Sequence, residues 1–214
     1  MASGLNASRR YNAETQTHNF VMTIRYRIVI FSFLALSMAV AAFVEESATP
    51  NLTIDAIERQ LETYRHENLL LRIVANDAFL NDFTTDGCSG GLSAGWEQFS
   101  ERYPQFAVRH GKQAPWQECC VSHDGQYHSG GLDAISAVKS FEQRKSADLD
   151  LKDCVVGTGL QRSAVLEDVY GLTEADIRLI YEAVSELMYR AVRIGGIPCT
   201  KQSWRWGDGW QQCR

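Results

Sequence analysis

Residues 118–127 read Glu118-Cys119-Cys120-Val121-Ser122-His123-Asp124-Gly125-Gln126-Tyr127. Two adjacent cysteines precede a His-Asp pair, and a tyrosine follows. Wound as an α-helix, Cys120, His123 and Tyr127 stand at i, i+3 and i+7 and share a face. Asp124 points ~100° further round. A disulfide near His123 would fix this helix and leave His123 and Asp124 free to build a site. Taken alone, the stretch also suits a zinc centre or a structural knot.

The chain has 214 residues, which suggests one domain plus extras. Its 45 % hydrophobic and 22 % charged residues are ordinary for a globular protein. A net charge of −5 and a pI near 5.6 argue against a nucleic-acid binder, which needs a broad basic excess. Arg25 and Arg27 precede an apolar run from Ile28 to Val44, which Ala39-Val40-Ala41-Ala42 helps to close. A basic flank, an apolar core and small residues at the end make a secretory signal. An uncleaved anchor is the alternative, although the run is shorter than the ~20 residues a spanning helix prefers. Residues 1–45 are therefore expected to be a disordered lead with a signal peptide or membrane anchor. Residues 46–214 are expected to be an exported domain, secreted or periplasmic, tethered if the anchor is kept. Asn51-Leu52-Thr53 is a glycosylation sequon, relevant only in a host that glycosylates.

All six cysteines, Cys88, Cys119, Cys120, Cys154, Cys199 and Cys213, follow the apolar run. An even count in an exported chain favours disulfides over metal thiolates. Six cysteines allow ~15 complete pairings, so the count fixes none of them. Cys88, Cys119, Cys120 and His123 fit known zinc spacings poorly.

The pattern is mainly α, with no clear strand and no repeat. Ile54, Ile57, Leu61 and Tyr64 give one apolar face to a helix over 53–74, with Thr53 as a possible cap. Residues 92–116, broken by Pro104 and Pro115, suggest short helical pieces over a core. A helix over 116–128 stops at Ser129-Gly130-Gly131, and a second over 132–155 is ended by Gly157 or Gly159. The short glycine turn makes those two antiparallel neighbours. Thr173 is a plausible cap for a third helix. Its stripe of Ile177, Ile180, Tyr181, Val184, Leu187, Met188 and Val192 reads as core, and Gly195-Gly196 closes it. In the tail, Trp204, Trp206 and Trp210 with Arg205 and Lys201 suit either a membrane-interface patch or the cover of a small core beside a disulfide.

Two further segments bear on the His-Asp pair. Thr85-Asp86-Gly87-Cys88-Ser89-Gly90-Gly91 combines a carboxylate with glycines, which can turn carbonyls inward at positive φ. Calcium takes such hard oxygen ligands. Ala147-Asp148-Leu149-Asp150-Leu151-Lys152-Asp153-Cys154 sets Asp148 where it could face His123 across the helix pair. A histidine held by a carboxylate at one nitrogen presents the other to a water, as a general base does.

These segments together resemble the phospholipase A2 superfamily, from about Asp82 to Val156. C-C-V-S-H-D-G-Q-Y resembles its active-site helix, C-C-x-x-H-D-x-x-Y. T-D-G-C-S-G-G resembles its calcium loop, particularly that of the short bacterial and fungal enzymes. A-D-L-D-L-K-D-C resembles its second active-site helix. The stretch from Cys88 to Cys120 is longer than in those enzymes, and the helix and tail after Val165 have no counterpart in them. The resemblance implies a disulfide-stapled antiparallel helix pair with a preceding calcium loop, plus extra N- and C-terminal helices. It implies calcium-dependent hydrolysis of the sn-2 ester of phospholipids, or of another lipid ester, at a membrane surface. His123 would activate the water, Asp148 would orient His123, and Tyr127 would join their hydrogen bonds. Asp124 and the loop around Asp86, Gly87 and Gly91 would hold calcium. A backbone N–H at Ser89 or Gly90 would be a second oxyanion donor. The implied disulfides are Cys88–Cys120 and Cys119–Cys154, with Cys199 and Cys213 left to pair. The alternative is a non-catalytic module on the same frame, binding calcium, lipid or protein.

Overall fold

The computed structural model describes residues 52–88 and 91–213. They belong to the unit that begins at Pro50. The lead, the apolar run, Asn51, Ser89 and Gly90 lie outside the described residues. The described chain is mainly helical, as its pattern predicts. The helices are α1 (Leu52–Ile73), α2 (Gly91–Arg102), α3 (Pro104–His110), α4 (Gln117–Ser129), α5 (Ala137–Gln161), α6 (Ser163–Tyr170) and α7 (Glu174–Gly195). Among these residues the β pairing is one isolated antiparallel bridge, Leu80 to Trp210. None of these helices is long and apolar enough to cross a membrane.

Local chemistry sets most boundaries. Pro104 opens α3, and Gly111 closes it. Thr173 caps α7 in a capping box: its hydroxyl accepts from Asp176 N, and the Asp176 carboxylate accepts from Thr173 N. α4 stops where Gly130 turns left-handed at φ 60°. A Cβ on Gly130 would lie 2.3 Å from Gly207 Cα, so the C-terminal tail packs directly on this turn. Residues 132–135 form the turn rather than the start of α5. The helix begins after Ser136, whose hydroxyl accepts from Lys139 N. α5 also runs through Gly157 and Gly159 to Gln161. Gly159 is a close approach and not a stop, because a Cβ there would sit 2.3 Å from Tyr181 Cγ. α6 is an additional short helix that the apolar pattern does not announce.

Of the expected apolar stripe of α1, the Ile54 and Ile57 side chains lie outside the described residues, and the described part differs from the expectation. Leu61 and Tyr64 are 68 % and 64 % exposed, whereas Glu62, His66 and Leu69 are buried. Thr53 lies inside the first turn of α1 and not at its cap. On α7, Ile177 and Tyr181 are buried, while Leu187 faces solvent.

α5 is the central element and packs against α1, α4 and α7. One apolar cluster gathers Trp116, Cys119, Cys120, Leu151, Val155, Ile177 and Tyr181. A second gathers Leu69, Tyr127, Ala147, Trp206 and Trp210. Trp206 and Trp210 thus cover a core and are not available to a membrane; Trp204 alone of the three stays partly exposed. Three disulfides staple this frame: Cys88–Cys120, Cys119–Cys154 and Cys199–Cys213. Each bond of this kind typically adds ~2–4 kcal/mol. No free cysteine remains, so no thiolate is left for zinc.

Candidate active site

α4 and α5 bring His123, Tyr127 and Asp148 together. Cys119 is bonded to Cys154, so the facing positions one and two turns along are His123 and Tyr127 on α4 and Asp148 and Arg144 on α5. The His123 ring nitrogen Nε2 lies 2.9 Å from Asp148 Oδ1. A carboxylate accepts, so Nε2 carries a proton, and in the neutral ring Nδ1 keeps its lone pair. The Tyr127 hydroxyl donates to the same Oδ1 at 2.6 Å. Asp148 has no exposed surface, and His123 is 5 % exposed.

Electrostatics hold Asp148 ionised and Tyr127 protonated, and they favour the protonated form of His123. Burial alone would raise the pKa of Asp148, but hydrogen bonds from His123 and Tyr127 and the charge of Arg144 hold it below the ordinary carboxylate value. Burial works to lower the pKa of His123, yet Asp124 and Asp148 more than offset this and raise it. Burial pushes the Tyr127 phenol well above its ordinary value, so it stays a donor.

Asp124 lies on the other side of His123, its Oδ1 4.0 Å from Nδ1. Its Oδ2 accepts from the Thr85 hydroxyl at 2.5 Å, and Thr85 Oγ1 accepts from Gly87 N at 2.9 Å. The 85–88 loop therefore sits against Asp124, pinned by the Cys88–Cys120 bond. Cys88 N also donates to Gln117 Oε1. Gly87 and Gly91 both have positive φ, 67° and 54°. Asp86 is exposed on the loop, and Gly91 opens α2. Among the described residues, no group of three or more His, Cys, Asp or Glu stands close enough to hold a metal ion. The oxygen groups the structure brings together here are the Asp124 carboxylate and the Thr85 hydroxyl.

Several contributors are not marked by any motif. Arg193 Nη1 donates to Asp148 Oδ2 at 3.0 Å, and its Nη2 donates to Glu62 Oε2 at 2.8 Å. Arg144 donates from Nη1 to Glu62 Oε1 and from Nε to the Tyr127 hydroxyl. The available signal is a charged residue within a buried helical stripe: Arg144 and Asp148 at i, i+4 on α5, Glu62 and His66 at i, i+4 on α1. Asp208, in the tail, is another. Burial raises its pKa and the charge of Asp124 raises it further. Its Oδ2 lies 3.9 Å from Nδ1 of the buried His128.

A second trio has the order of a hydrolytic triad but not its access. Ser140 Oγ is 2.7 Å from His66 Nδ1, and His66 Nε2 is 3.2 Å from Glu62 Oε1. All three are buried, and Trp206 Nε1 donates to Ser140 Oγ at 3.0 Å. No substrate reaches this serine, so the trio is structural. Burial, with the charges of Arg144 and Arg193, holds the pKa of His66 below 6.5 despite Glu62. A group with a lowered folded pKa favours the fold in its neutral form. Its contribution is full above the unfolded value of 6.5 and is lost as pH falls below it. His123 acts in the opposite sense, contributing below 6.5 and losing its contribution as pH rises through its raised folded value. His66→Gln isolates the first effect. Urea midpoints should fall less steeply below pH 6.5 in the variant than in the wild type. Equal slopes would mean that His66 is not buried neutral.

No protein-family model, curated protein or solved structure matches this chain.

Proposed function

We propose that the protein is a calcium-dependent lipid esterase of the phospholipase A2 type, hydrolysing the sn-2 ester of a phospholipid. The observation that carries this reading is the 2.9 Å contact between His123 Nε2 and Asp148 Oδ1, which leaves Nδ1 facing the side of Asp124. The motif spacings and the three disulfides support it, as does the antiparallel, stapled α4–α5 pair with its preceding loop. In this reading His123 takes a proton from water at Nδ1, and Asp148 balances the imidazolium that forms. Tyr127 holds Asp148 Oδ1 in place. Asp124 and carbonyls around Asp86, Gly87 and Gly91 would hold calcium, which when bound polarises the ester carbonyl as a Lewis acid. The exported placement and a membrane-surface substrate belong to the same proposal.

The deciding experiment is fatty-acid release from mixed phospholipid vesicles, with calcium or with chelator, for the wild type and His123→Ala. The expected result is calcium-dependent release that His123→Ala lowers by at least ~10²–10⁴-fold, the usual worth of a general base. The near-complete burial of His123 favours one competing reading, a non-catalytic module on the same frame. Calcium binding without release of any fatty acid from folded, fully oxidised protein would select that module and end the esterase proposal.

A further inference from the structure

The Asp148 carboxylate is held from both sides. Oδ1 accepts from His123 at 2.9 Å and from Tyr127 at 2.6 Å. Oδ2 accepts from Arg193 at 3.0 Å, and Arg144 Nη2 stands 4.0 Å away. Arg193 is itself fixed at both ends. Its second Nη donates to Glu62 Oε2 at 2.8 Å. Its own carbonyl accepts from Arg144 Nη2 at 2.7 Å, and so does the carbonyl of Val192 at 2.8 Å. Glu62 in turn is held by Arg144 and His66 through Oε1. The two guanidinium groups and two carboxylates are buried together. They join α1, α5 and the last turn of α7 directly behind His123.

We propose that Arg193 is a positioning residue of the site: its fork, anchored by Glu62, fixes the plane of the Asp148 carboxylate and through it the tautomer and ring orientation of His123. This rests on the esterase reading for its kinetic consequence but not for its structural one. A planar fork on two acceptors sets an angle that a single ammonium does not. Residues that orient a reactive side chain from behind typically change activity by ~10–100-fold when altered. Arg193 binds Asp148 through Oδ2, the oxygen that His123 does not use.

The test uses the full oxidised chain with ¹⁵N-labelled histidine. Two readouts are taken on Arg193→Lys, Arg193→Met and Glu62→Gln. One is the downfield Nε2–H proton resonance of His123, which reports its hydrogen bond to Asp148 with or without activity. The other is the separation of kcat from KM on vesicles. Arg193→Lys is expected to fold, to shift or broaden the resonance, and to lower kcat by ~10-fold or more with KM unchanged. Arg193→Met should lose the resonance, and Glu62→Gln should move it in the direction of Arg193→Lys. If Arg193→Met does not fold, the two conservative variants decide. A folded Arg193→Lys or Glu62→Gln with the wild-type resonance and kcat would overturn the proposal, leaving Arg193 a structural charge. So would a rise in KM alone. If the wild type releases no fatty acid, the resonance still decides this proposal, and the esterase reading fails separately.

Discussion

Replacing Arg144 by methionine should lower the stability of the protein by ~3–5 kcal/mol, the usual cost of stranding a buried charge. That is a large share of the ~5–15 kcal/mol that holds a domain folded. Arg144 has no exposed surface, and its partners come from three directions: Glu62 on α1, Tyr127 on α4, and the carbonyls of Val192 and Arg193 on α7. Methionine fills much of the volume but leaves Glu62 and Asp148 with a single cation, Arg193. The carbonyls and the phenol also lose a donor, and an unmet buried polar group costs ~1–3 kcal/mol. Arg59→Met is the control. Arg59 pairs with Glu142 at 3.1 Å, but both side chains are about half exposed. Such pairs contribute ~0–1 kcal/mol, so this variant should be nearly silent. Urea unfolding with the disulfides intact measures both. The double variant Glu62→Gln/Arg144→Met removes one stranded anion and should recover part of the loss. A loss below ~1 kcal/mol for Arg144→Met would show that this charge quartet does not hold α1, α5 and α7 together.

The same quartet explains where the amino-acid pattern was legible and where it was not. The helix over 118–127 could be read because its spacing is local: Cys120, His123 and Tyr127 share a face by helix geometry alone. The cap at Thr173 and the stop at Gly130 could be read for the same reason, since each is fixed within a few residues. The buried face of α1 departs from its apolar pattern because burial there is decided by partners far away in the chain. Glu62 and His66 are buried by Arg144, Arg193 and Ser140, while Leu61 and Tyr64, the apolar residues, face water. Hydrophobic periodicity does not find a stripe in which Glu62 and His66 lie beside Leu69. Gly157 or Gly159 is the expected end of α5 because glycine weakens helices, yet the helix runs through both. The ring of Tyr181, contributed by α7, gives Gly159 another use. Nor does pattern alone show which tryptophans of the tail are buried, because that depends on Gly207 meeting Gly130. The glycine-rich loop before α2 lies between these cases. Its composition is readable, but the backbone carbonyls that the proposed calcium site requires would leave little trace in side-chain identity.

Asp148→Asn should lower hydrolysis by ~10³–10⁴-fold under the esterase reading, with less effect on stability than Arg144→Met. The argument is one of proton placement. In the wild type both Asp148 oxygens accept: Oδ1 from His123 and Tyr127, Oδ2 from Arg193. An asparagine has one oxygen and one NH₂ to fill these places. Arg193 can only donate, so the amide oxygen turns toward it and the NH₂ faces His123 Nε2. His123 must then accept at Nε2, which moves its proton to Nδ1. The nitrogen that should take a proton from water is now protonated. Tyr127 also loses its acceptor. Nothing in this change touches Asp124, Thr85 or the loop, so calcium affinity should stay close to that of the wild type. Kinetics on vesicles, circular dichroism and calcium titration on the same preparation separate the effects. A folded Asp148→Asn that binds calcium and hydrolyses within ~10-fold of the wild type would remove Asp148 from the catalytic network, since a general base without its orienting carboxylate should lose far more.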